Sequence, residues 1–346
     1  MQKFFLLFLL LPTWLLSQQG YNYTNLVLEG GGVRGMAYVG AFSVLSEKGI
    51  LPNIEKVAGS SVGSIAGLLL CAGYSVKEID SIMYQLPVQQ FNDGSEVTAI
   101  HRVKKYYGIY IGQKFGLWLQ QIVKQKTGNA NLTFMQLHQL HLKNKKFRDL
   151  YCTGTNLSRQ QLKIFSYENT PNVPIALAVR ISSSIPIYYE PVALDDDDNL
   201  INEKDTTSYK NYFVDGGMLC NYPIGIFDTC ENGSNQNPLY CEHTKFNKQT
   251  LGIKLEREEQ VDSIQKNNLS IPPYNIKKFN TYIEAFTNLL METINRKYPN
   301  LENELGRTIY ISYGDIGAKP RKLKPEEKKW LYDNGVKATK DFFEKQ

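Results

Sequence analysis

The chain reads Asn-Leu-Val-Leu-Glu-Gly-Gly-Gly-Val-Arg-Gly over residues 25–35 and Gly-Ser-Ser-Val-Gly over residues 59–63. The first stretch is a short apolar run that ends in a glycine cluster. The second is a Gly-x-Ser-x-Gly pentapeptide, which also follows an apolar run. Helix-compatible sequence follows each of them. A strand, helix, strand and helix within about 50 residues predict an α/β fold with a mainly parallel sheet.

The glycine cluster, Gly30 to Gly32, predicts a loop whose backbone binds an anion. Glycine accepts the dihedral angles of a tight turn, so successive N–H groups can converge on one point. The helix that follows adds the positive end of its dipole. Such a loop can bind a phosphate or stabilise a developing oxyanion, and a plain tight turn is the simpler alternative.

The spacing Gly30-x-Gly32-x-x-Gly35 also fits a dinucleotide-binding loop. That reading needs an acidic residue at the end of the next strand, to bind the ribose. Glu55 lies at the start of that strand, and serines occupy its end. The pattern therefore disfavours a dinucleotide site.

Ser61 is the candidate nucleophile. A Gly-x-Ser-x-Gly turn between strand and helix presents its serine at the helix N-terminus, where the dipole favours an alkoxide. The alternative is that Ser61 only caps the helix. Ser60 and Ser64 are interpreted as capping or helix-surface residues.

A serine needs a base to remove its proton, and Asp215 is the candidate. It ends the apolar strand 212–214 and precedes two glycines, so burial would raise its basicity. A turn aspartate is the simpler alternative. The chain also contains four histidines, all in polar contexts that predict surface positions: His101, His138, His141 and His243.

Four segments together resemble the patatin-like phospholipase family. They are the glycine box 29–35, the serine box 59–63, Asp215-Gly216-Gly217, and Ile-Ser-Ser-Ser-Ile-Pro over residues 181–186. The last departs from the family's alanine-rich pattern. The resemblance covers residues 25 to 223.

The resemblance implies a three-layer α/β/α sandwich that cleaves acyl esters, chiefly of phospholipids and neutral lipids, without metal or cofactor. Ser61 would be the nucleophile and Asp215 its base. The amides of Gly31 and Gly32, with Val33 as a third candidate, would form the oxyanion hole. Arg34 matches a basic family position, where a structural salt bridge and a headgroup contact both remain open. The matching residues that support these motifs are Gly30, Gly35, Gly59, Gly63, Gly216 and Gly217.

Composition sets broad limits on the partners. The chain has 346 residues, 42% of them apolar and 21% charged, as in soluble globular proteins. Its net charge of +5 fits weak attraction to anionic lipid headgroups. No basic patch is concentrated enough to predict nucleic-acid binding, and the basic run 319–324 is interpreted as a solvated helix entrance. The expected partner is a lipid or membrane-surface substrate.

The first 17 residues resemble a secretory signal peptide. Lys3 precedes the apolar run 4–16, and Ser17, a small residue, follows it. The run is too short to span a bilayer comfortably. We therefore expect a secreted or periplasmic protein, and association with a membrane stays open. A retained N-terminal anchor is the alternative.

Five cysteines do not form a disulfide framework in a chain of this size. Cys71, Cys152 and Cys220 lie in apolar contexts and predict core positions. Cys230 and Cys241 flank a polar loop, and the residues leave their pairing open. No cysteine or histidine spacing resembles a zinc site.

We expect a catalytic domain over residues 24–226. A C-terminal extension, 227–346, is expected to complete the α/β lobe. The extension includes amphipathic helices over residues 278–296 and 325–343. The aromatic stretch 106–118 fits either an interfacial lid that contacts acyl chains or, more simply, core.

Overall fold

A computed structural model describes residues 21–94, 99–201, 210–231, 233, 237–241, 243–266, 273–279, 281–283, 285–286, 289 and 304–345. The strands are β1 (Asn25–Leu28), β2 (Lys56–Gly59), β3 (Gly108–Tyr110), β4 (Asp149–Asn156), β5 (Gln161–Phe165), β6 (Ile187–Tyr189), β7 (Val192–Leu194), β8 (Asn211–Asp215), β9 (Thr229–Cys230), β10 (Thr244–Lys245), β11 (Thr250–Glu256) and β12 (Thr308–Ser312). The helices are α1 (Met36–Glu47), α2 (Val62–Cys71), α3 (Val76–Tyr84), α4 (Ala99–Tyr106), α5 (Gln113–Thr127), α6 (Phe134–Lys143), α7 (Ile175–Ser182), α8 (Gly217–Cys220), α9 (Glu258–Gln265) and, as α10, Pro325–Glu344.

The central sheet has the order β12-β11-β1-β2-β4-β8-β7, with β5 paired to β4. Neighbours from β12 to β4 are parallel, whereas β5, β7 and β8 run antiparallel to their partners. The parallel strands therefore all end at one edge, which we call the C-terminal edge of the sheet. The opposite edge, where they begin, is the N-terminal edge.

The apolar residues of the strands alternate between two faces. Leu26 and Leu28 belong to the large core that includes α1 and α2, and Val27 belongs to a smaller cluster on the other face. That second face is covered by α8 and two 3-10 helices, Ile224–Phe227 and Pro238–Tyr240. The α/β fold class with a mainly parallel central sheet, predicted from the order of elements, is confirmed.

The C-terminal extension contributes directly to this sheet. Strand β11 pairs with β1, and β12 pairs with β11. Arg307, just before β12, donates two 2.7 Å hydrogen bonds to the Asp228 carboxylate. A disulfide joins Cys230 to Cys241. The predicted boundary at residue 226 stays a prediction, but residues on both sides of it share one sheet.

Several sequence expectations change in detail. The first helix begins at Met36, after a 3-10 turn at Gly32–Gly35. His101, whose polar context predicts only a surface position, lies on helix α4. In the aromatic stretch 106–118, Tyr110 and Phe115 are buried in the core, whereas Tyr107 and Leu117 are exposed.

Two predictions fall wholly or partly outside the described residues. The predicted leader, residues 1–17, lies outside them. Of the predicted helix 278–296, residues 279, 281–283, 285–286 and 289 are helical, and the rest after residue 278 lie outside. Among the helices that the structure describes, none has the length and apolar character of a membrane span.

Candidate active site

Ser61 occupies a strained turn between β2 and α2. Its backbone has φ 49° and ψ −123°, which is rare for a residue with a side chain. Strain of this kind persists only where the surrounding structure imposes it. The Ser61 side chain makes no capping hydrogen bond to α2. The helix-cap interpretation is therefore wrong, and the hydroxyl is directed elsewhere.

The glycines of the pentapeptide allow this turn to pack on the sheet. A Cβ atom at Gly63 would overlap with the carbonyl oxygen of Leu28 at the end of β1. Gly59, the other glycine, ends β2. The turn can therefore lie directly against the C-terminal edge.

Strand register brings Asp215 to the height of Ser61. Gly59 pairs with Cys152 of β4, and Asp215 pairs with Gly154, two residues further along that strand. Ser61 lies two residues beyond Gly59, so the hydroxyl and the carboxylate meet. The Asp215 carboxylate accepts hydrogen bonds from the Ser61 side chain and, at 2.8 Å, from the N–H of Gly217.

Burial makes the Asp215 carboxyl unusually basic. The residue is 6% exposed, and desolvation raises its pKa to about 7, although the hydrogen bonds from Ser61 and Gly217 act in the opposite direction. A buried carboxylate that only a few donors stabilise holds a proton more strongly than one in water.

The segment 182–184 joins the two halves of the site. The carbonyl oxygen of Ser182 accepts from the amides of Ser61 at 3.1 Å and Gly216 at 3.3 Å. Its hydroxyl accepts from the Ser61 amide at 3.0 Å. The carbonyl of Ser184 accepts from the Asp215 amide at 2.9 Å. The Ser183 hydroxyl is buried, with no hydrogen-bond partner among the described residues.

The serines beside Ser61 are buried supports. The Ser60 hydroxyl bonds to the Thr153 hydroxyl and donates to the Cys220 carbonyl at 2.7 Å. The Ser64 hydroxyl donates to the Ser61 carbonyl at 2.6 Å. Both residues are fully buried, so their interpretation as surface residues is wrong.

The glycine loop lies beside Ser61. Asn221 accepts from the Gly30 amide at 3.0 Å through its carbonyl and donates to the Gly30 carbonyl at 3.1 Å. A Cβ atom on Gly30 would lie 3.2 Å from the Ser61 Cβ. Within the described part of the chain, the amides of Gly31 and Gly32 have no acceptor. They are therefore available to an oxyanion.

The remaining residues of the loop are already engaged. The Val33 amide donates to the Ala318 carbonyl at 3.4 Å, which distinguishes it from the two glycines before it. Gly35 is buried at the start of α1. Val33 therefore contributes to the attachment of the loop.

Arg34 attaches the loop to the C-terminal extension. Its guanidinium donates from Nε to the Ile316 carbonyl at 2.6 Å and lies 3.3 Å from the ring centroid of Tyr313. Gly32, at φ +59°, packs so closely on Ala318 that a Cβ atom would overlap with the Ala318 carbonyl. Arg34 is 6% exposed, so these contacts are structural. Sequence reasoning missed Asn221 and the segment 313–318, because no local pattern marks either of them.

The four histidines either have other partners or are exposed. The imidazole of His138 is 3.0 Å from both Asp149 carboxylate oxygens and stacks on the ring of Tyr167. Asp149 pairs with Lys56 at the N-terminal edge. His101 and His243 are exposed, as predicted, whereas His141 is buried and bonds to the Phe147 carbonyl, so its predicted surface position is wrong. In the structure as described, none of the four forms a hydrogen bond with Ser61 or Asp215.

The described residues do not form a dinucleotide site or a metal site beside the glycine loop. Glu55, the acidic residue that a dinucleotide site would need, pairs with Lys145 on the surface at the start of β2. Among the described residues, no three acidic, histidine or cysteine side chains are grouped as metal ligands would be. The three unpaired cysteines, Cys71, Cys152 and Cys220, are buried, as predicted.

Comparisons with known proteins agree on the family. The model of the patatin-like phospholipase family matches residues 26–228. The chain is 29% identical over 318 residues to the uncharacterized protein R571 of Acanthamoeba polyphaga mimivirus, covering 91% of this chain and 92% of that protein. It is 26% identical over 221 residues to the probable lipid hydrolase 463L of Invertebrate iridescent virus 6, covering 62% and 66% of the two chains.

Among solved structures, VipD from Legionella pneumophila has a similar fold. The TM-score is 0.56 at 17% identity, over 94% of this chain and 67% of that one. The family match covers more than half of the sequence and contains the serine turn, the glycine loop and Asp215. The chain therefore belongs to the patatin-like phospholipase family, a family of lipid acyl hydrolases.

Proposed function

We propose that the protein is a serine lipid acyl hydrolase of the phospholipase A or lipase type, in which Ser61 and Asp215 form the catalytic dyad. One observation carries the proposal: a buried carboxyl with a pKa of about 7 accepts a hydrogen bond from a serine in a strained strand–helix turn. Nucleophilic serines are activated by an adjacent base, and perturbed pKa values concentrate at such sites.

In the acylation step, Ser61 Oγ attacks the ester carbonyl while the Asp215 carboxylate takes the hydroxyl proton. The carbonyl electron pair moves to oxygen, and the amides of Gly31 and Gly32 stabilise that oxyanion. A well-placed donor of this kind contributes about 3 kcal/mol. The tetrahedral intermediate then collapses, the bond to the alcohol breaks, and the leaving alcohol or lysolipid takes the proton from Asp215.

Deacylation repeats these roles with water. Asp215 removes a proton from a water molecule as its oxygen attacks the acyl-serine carbonyl, and the same two amides stabilise the second oxyanion. Collapse breaks the bond to Ser61 Oγ, which regains the proton from Asp215. The products are a fatty acid and the free enzyme.

The raised pKa suits Asp215 to both steps. An ordinary aspartate has a pKa of about 3.9 and is a weak base. A base whose pKa lies near the working pH is ionised in about half of the molecules and still able to hold the proton. At neutral pH, Asp215 meets both conditions.

We also propose that the protein is exported through its apolar leader. The disulfide between Cys230 and Cys241 supports this, because disulfides persist in oxidising compartments. Recovery of the full chain in the cell, with both thiols free, would contradict it.

Covalent labelling with a fluorophosphonate tests the dyad. We expect the native protein to be labelled on the peptide that contains Ser61, and Ser61→Ala and heat-denatured protein to stay unlabelled. Wild type should hydrolyse a short nitrophenyl ester and at least one phospholipid or triacylglycerol, and Ser61→Ala should hydrolyse none. Folded wild type that neither labels nor hydrolyses any ester would favour a non-catalytic protein whose glycine loop binds phosphate.

A further inference from the structure

The described helical residues between 279 and 289 expose apolar side chains to solvent. Phe279, Tyr282, Ile283, Phe286 and Leu289 are between 42% and 76% exposed. At 3.6 residues per turn, their positions fall within an arc of about 120°. We call them the apolar helix face. A helix in a globular protein normally buries such a face against the core.

The apolar helix face begins near the C-terminal edge of the sheet. Tyr274, shortly before it, lies under the guanidinium of Arg257, 4.0 Å from the ring centroid. Arg257 directly follows β11, and Tyr313, which directly follows β12, contacts Arg34 of the glycine loop. The start of the helix and the Ser61 site therefore lie at the same edge.

Positive charge borders the same region. Lys277 and Lys278 are exposed immediately before the apolar helix face. Lys319 and Lys322 are exposed just after Ala318, the residue that contacts Gly32. Within the described residues, no ion pair joins a carboxylate to any of these four lysines, although Asp315 and Glu326 are exposed four residues from Lys319 and Lys322 respectively. Exposed lysines beside an apolar face complement anionic lipid headgroups.

Other exposed apolar residues lack this combination. Leu142, on α6, is 65% exposed, but it lies among polar residues just before the N-terminal edge. Single exposed apolar residues are ordinary, whereas a contiguous apolar patch marks a site of interaction.

We infer that the apolar helix face, together with Lys277 and Lys278 directly before it, docks the protein on an anionic lipid membrane. Apolar side chains would enter the boundary between headgroups and acyl chains, as in interfacial amphipathic helices, while the lysines contact the headgroups. This docking brings the C-terminal edge, with Ser61, to the lipid surface. Its purpose depends on the proposed lipid hydrolysis, but the binding itself does not require the dyad.

Vesicle sedimentation tests the surface in the Ser61→Ala background, where lipid cannot be consumed. The full-length parent should co-sediment with phosphatidylcholine vesicles that contain phosphatidylglycerol, and less with phosphatidylcholine alone. Adding Phe279→Ser and Phe286→Ser should weaken binding at least about tenfold, since each exposed phenylalanine loses its apolar contact. Leu142→Ser, the matched control, should bind as the parent does. Lys277→Gln with Lys278→Gln should reduce the preference for anionic vesicles and its sensitivity to salt.

Three outcomes would overturn the inference. The parent could fail to bind either vesicle, or the double serine variant could bind as tightly as the parent. Alternatively, gel filtration without vesicles could show that Phe279→Ser with Phe286→Ser converts a dimer to a monomer. That result would assign the apolar helix face to a second copy of the chain.

Activity measurements separate this inference from the proposed function. With Ser61 intact, the double serine variant should hydrolyse a short soluble nitrophenyl ester at the wild-type rate but phospholipid vesicles at least about tenfold more slowly. Equal loss on both substrates would indicate damage to the fold and overturn docking. Vesicle binding by a wild type that hydrolyses nothing would instead overturn the proposed function and leave docking intact.

Discussion

The two edges of the sheet each contain a buried aspartate with a different partner. At the N-terminal edge, Asp149 bonds to the imidazole of His138 and resembles two thirds of a hydrolase triad. At the C-terminal edge, Asp215 has no histidine beside it in the described structure but accepts a hydrogen bond from Ser61. The pair of His138 and Asp149 therefore lacks a serine, and the pair of Ser61 and Asp215 lacks a histidine.

Position in the sheet explains this difference. The loops after parallel strands bring helix N-termini and unpaired amides together at the C-terminal edge, where α/β proteins form their sites. At the N-terminal edge, Arg148 donates to the carbonyls of Leu51, Ile54 and Leu70. One guanidinium thus satisfies backbone carbonyls from three separate positions there. The proposed catalytic site at the C-terminal edge thus contrasts with structural contacts at the N-terminal edge.

The largest predicted effect is the loss of kcat when Asp215, but not Asp149, is replaced. We expect Asp215→Asn to reduce kcat at least about 10³-fold, because an amide cannot take the Ser61 proton. Asp149→Asn should leave kcat of the folded protein within about threefold of the wild-type value, since Asp149 lies at the N-terminal edge. The measurement is hydrolysis of a soluble nitrophenyl ester, with circular dichroism to verify folding. Comparable losses from both variants would remove the distinction between the edges.

The substitution Asp215→Asn should stabilise the protein increasingly, relative to wild type, as pH rises. In the unfolded chain, Asp215 ionises with a pKa of about 3.9, but in the folded protein its pKa is about 7. The neutral carboxyl therefore stabilises the fold fully below pH 4, and this contribution is lost as pH rises through 7. Above pH 7, Asp215→Asn should be more stable than wild type by up to about 4 kcal/mol, at 1.36 kcal/mol per pKa unit.

Urea unfolding at pH 4, 6 and 8 measures that difference. The amide introduced by Asp215→Asn retains an oxygen that can accept from Gly217, so the variant tests loss of charge more than loss of contacts. A stability difference that does not change with pH would mean that the Asp215 carboxyl is not desolvated as the structure indicates.

Activity should depend on the same ionisation. With Asp215 in its proposed role as the base, kcat/KM for a soluble ester should rise with pH and level off above about 7. At pH 5, roughly one carboxyl in 100 is ionised, so the rate should be about 100-fold below the plateau. The profile for Asp149→Asn should have the same midpoint. A midpoint near 4 would contradict the desolvated site.

Sequence reasoning could identify residues at the C-terminal edge but not the contacts that assemble them. Ser61, Asp215 and the glycine loop each follow a recognisable strand, so local pattern was enough to find them. Their convergence depends on the pairing of β2, β4 and β8, which joins residues far apart in the chain. Register of this kind has no local signal, and the same is true of the segment 313–318.

Burial was misjudged where polar residues have distant partners. Ser60 looked like a surface residue because its bonds to Thr153 and Cys220 come from other strands and helices. Helix α4, none of whose residues is buried, was missed although Ile100, Val103 and Tyr106 recur at helical spacing along it. The error at Ser60 arises because tertiary contacts override local propensity.

Two buried arginines, one at each edge, allow a sharper comparison. Arg34 and Arg148 both donate to backbone carbonyls, so replacing either by methionine should cost about 2 kcal/mol of unfolding free energy. Of the two arginines, only Arg34 contacts the attachment of the glycine loop, and displacement of the oxyanion hole proposed there can reduce turnover by about 10- to 100-fold. We expect Arg34→Met to lower kcat by this amount with little change in KM.

Arg148→Met is the matched control, and its folded protein should retain kcat within about threefold. Arg34→Lys should recover part of the lost turnover, because lysine can still donate to the Ile316 carbonyl. If Arg34→Met lost stability but kept full turnover, the attachment to the segment 313–318 would be structural only.

The smallest expected effect on kcat concerns His138, which with Asp149 resembles two members of a hydrolase triad. His138→Gln should leave kcat within about threefold, because the imidazole contacts Asp149 and Tyr167 at the N-terminal edge, away from Ser61. Glutamine can still donate to Asp149, so the loss in unfolding free energy should be about 1 kcal/mol, mostly from the stacked ring. Ester hydrolysis and urea unfolding measure the two effects. A loss of about 10³-fold would instead make His138 a general base and require a rearrangement that carries it across the sheet.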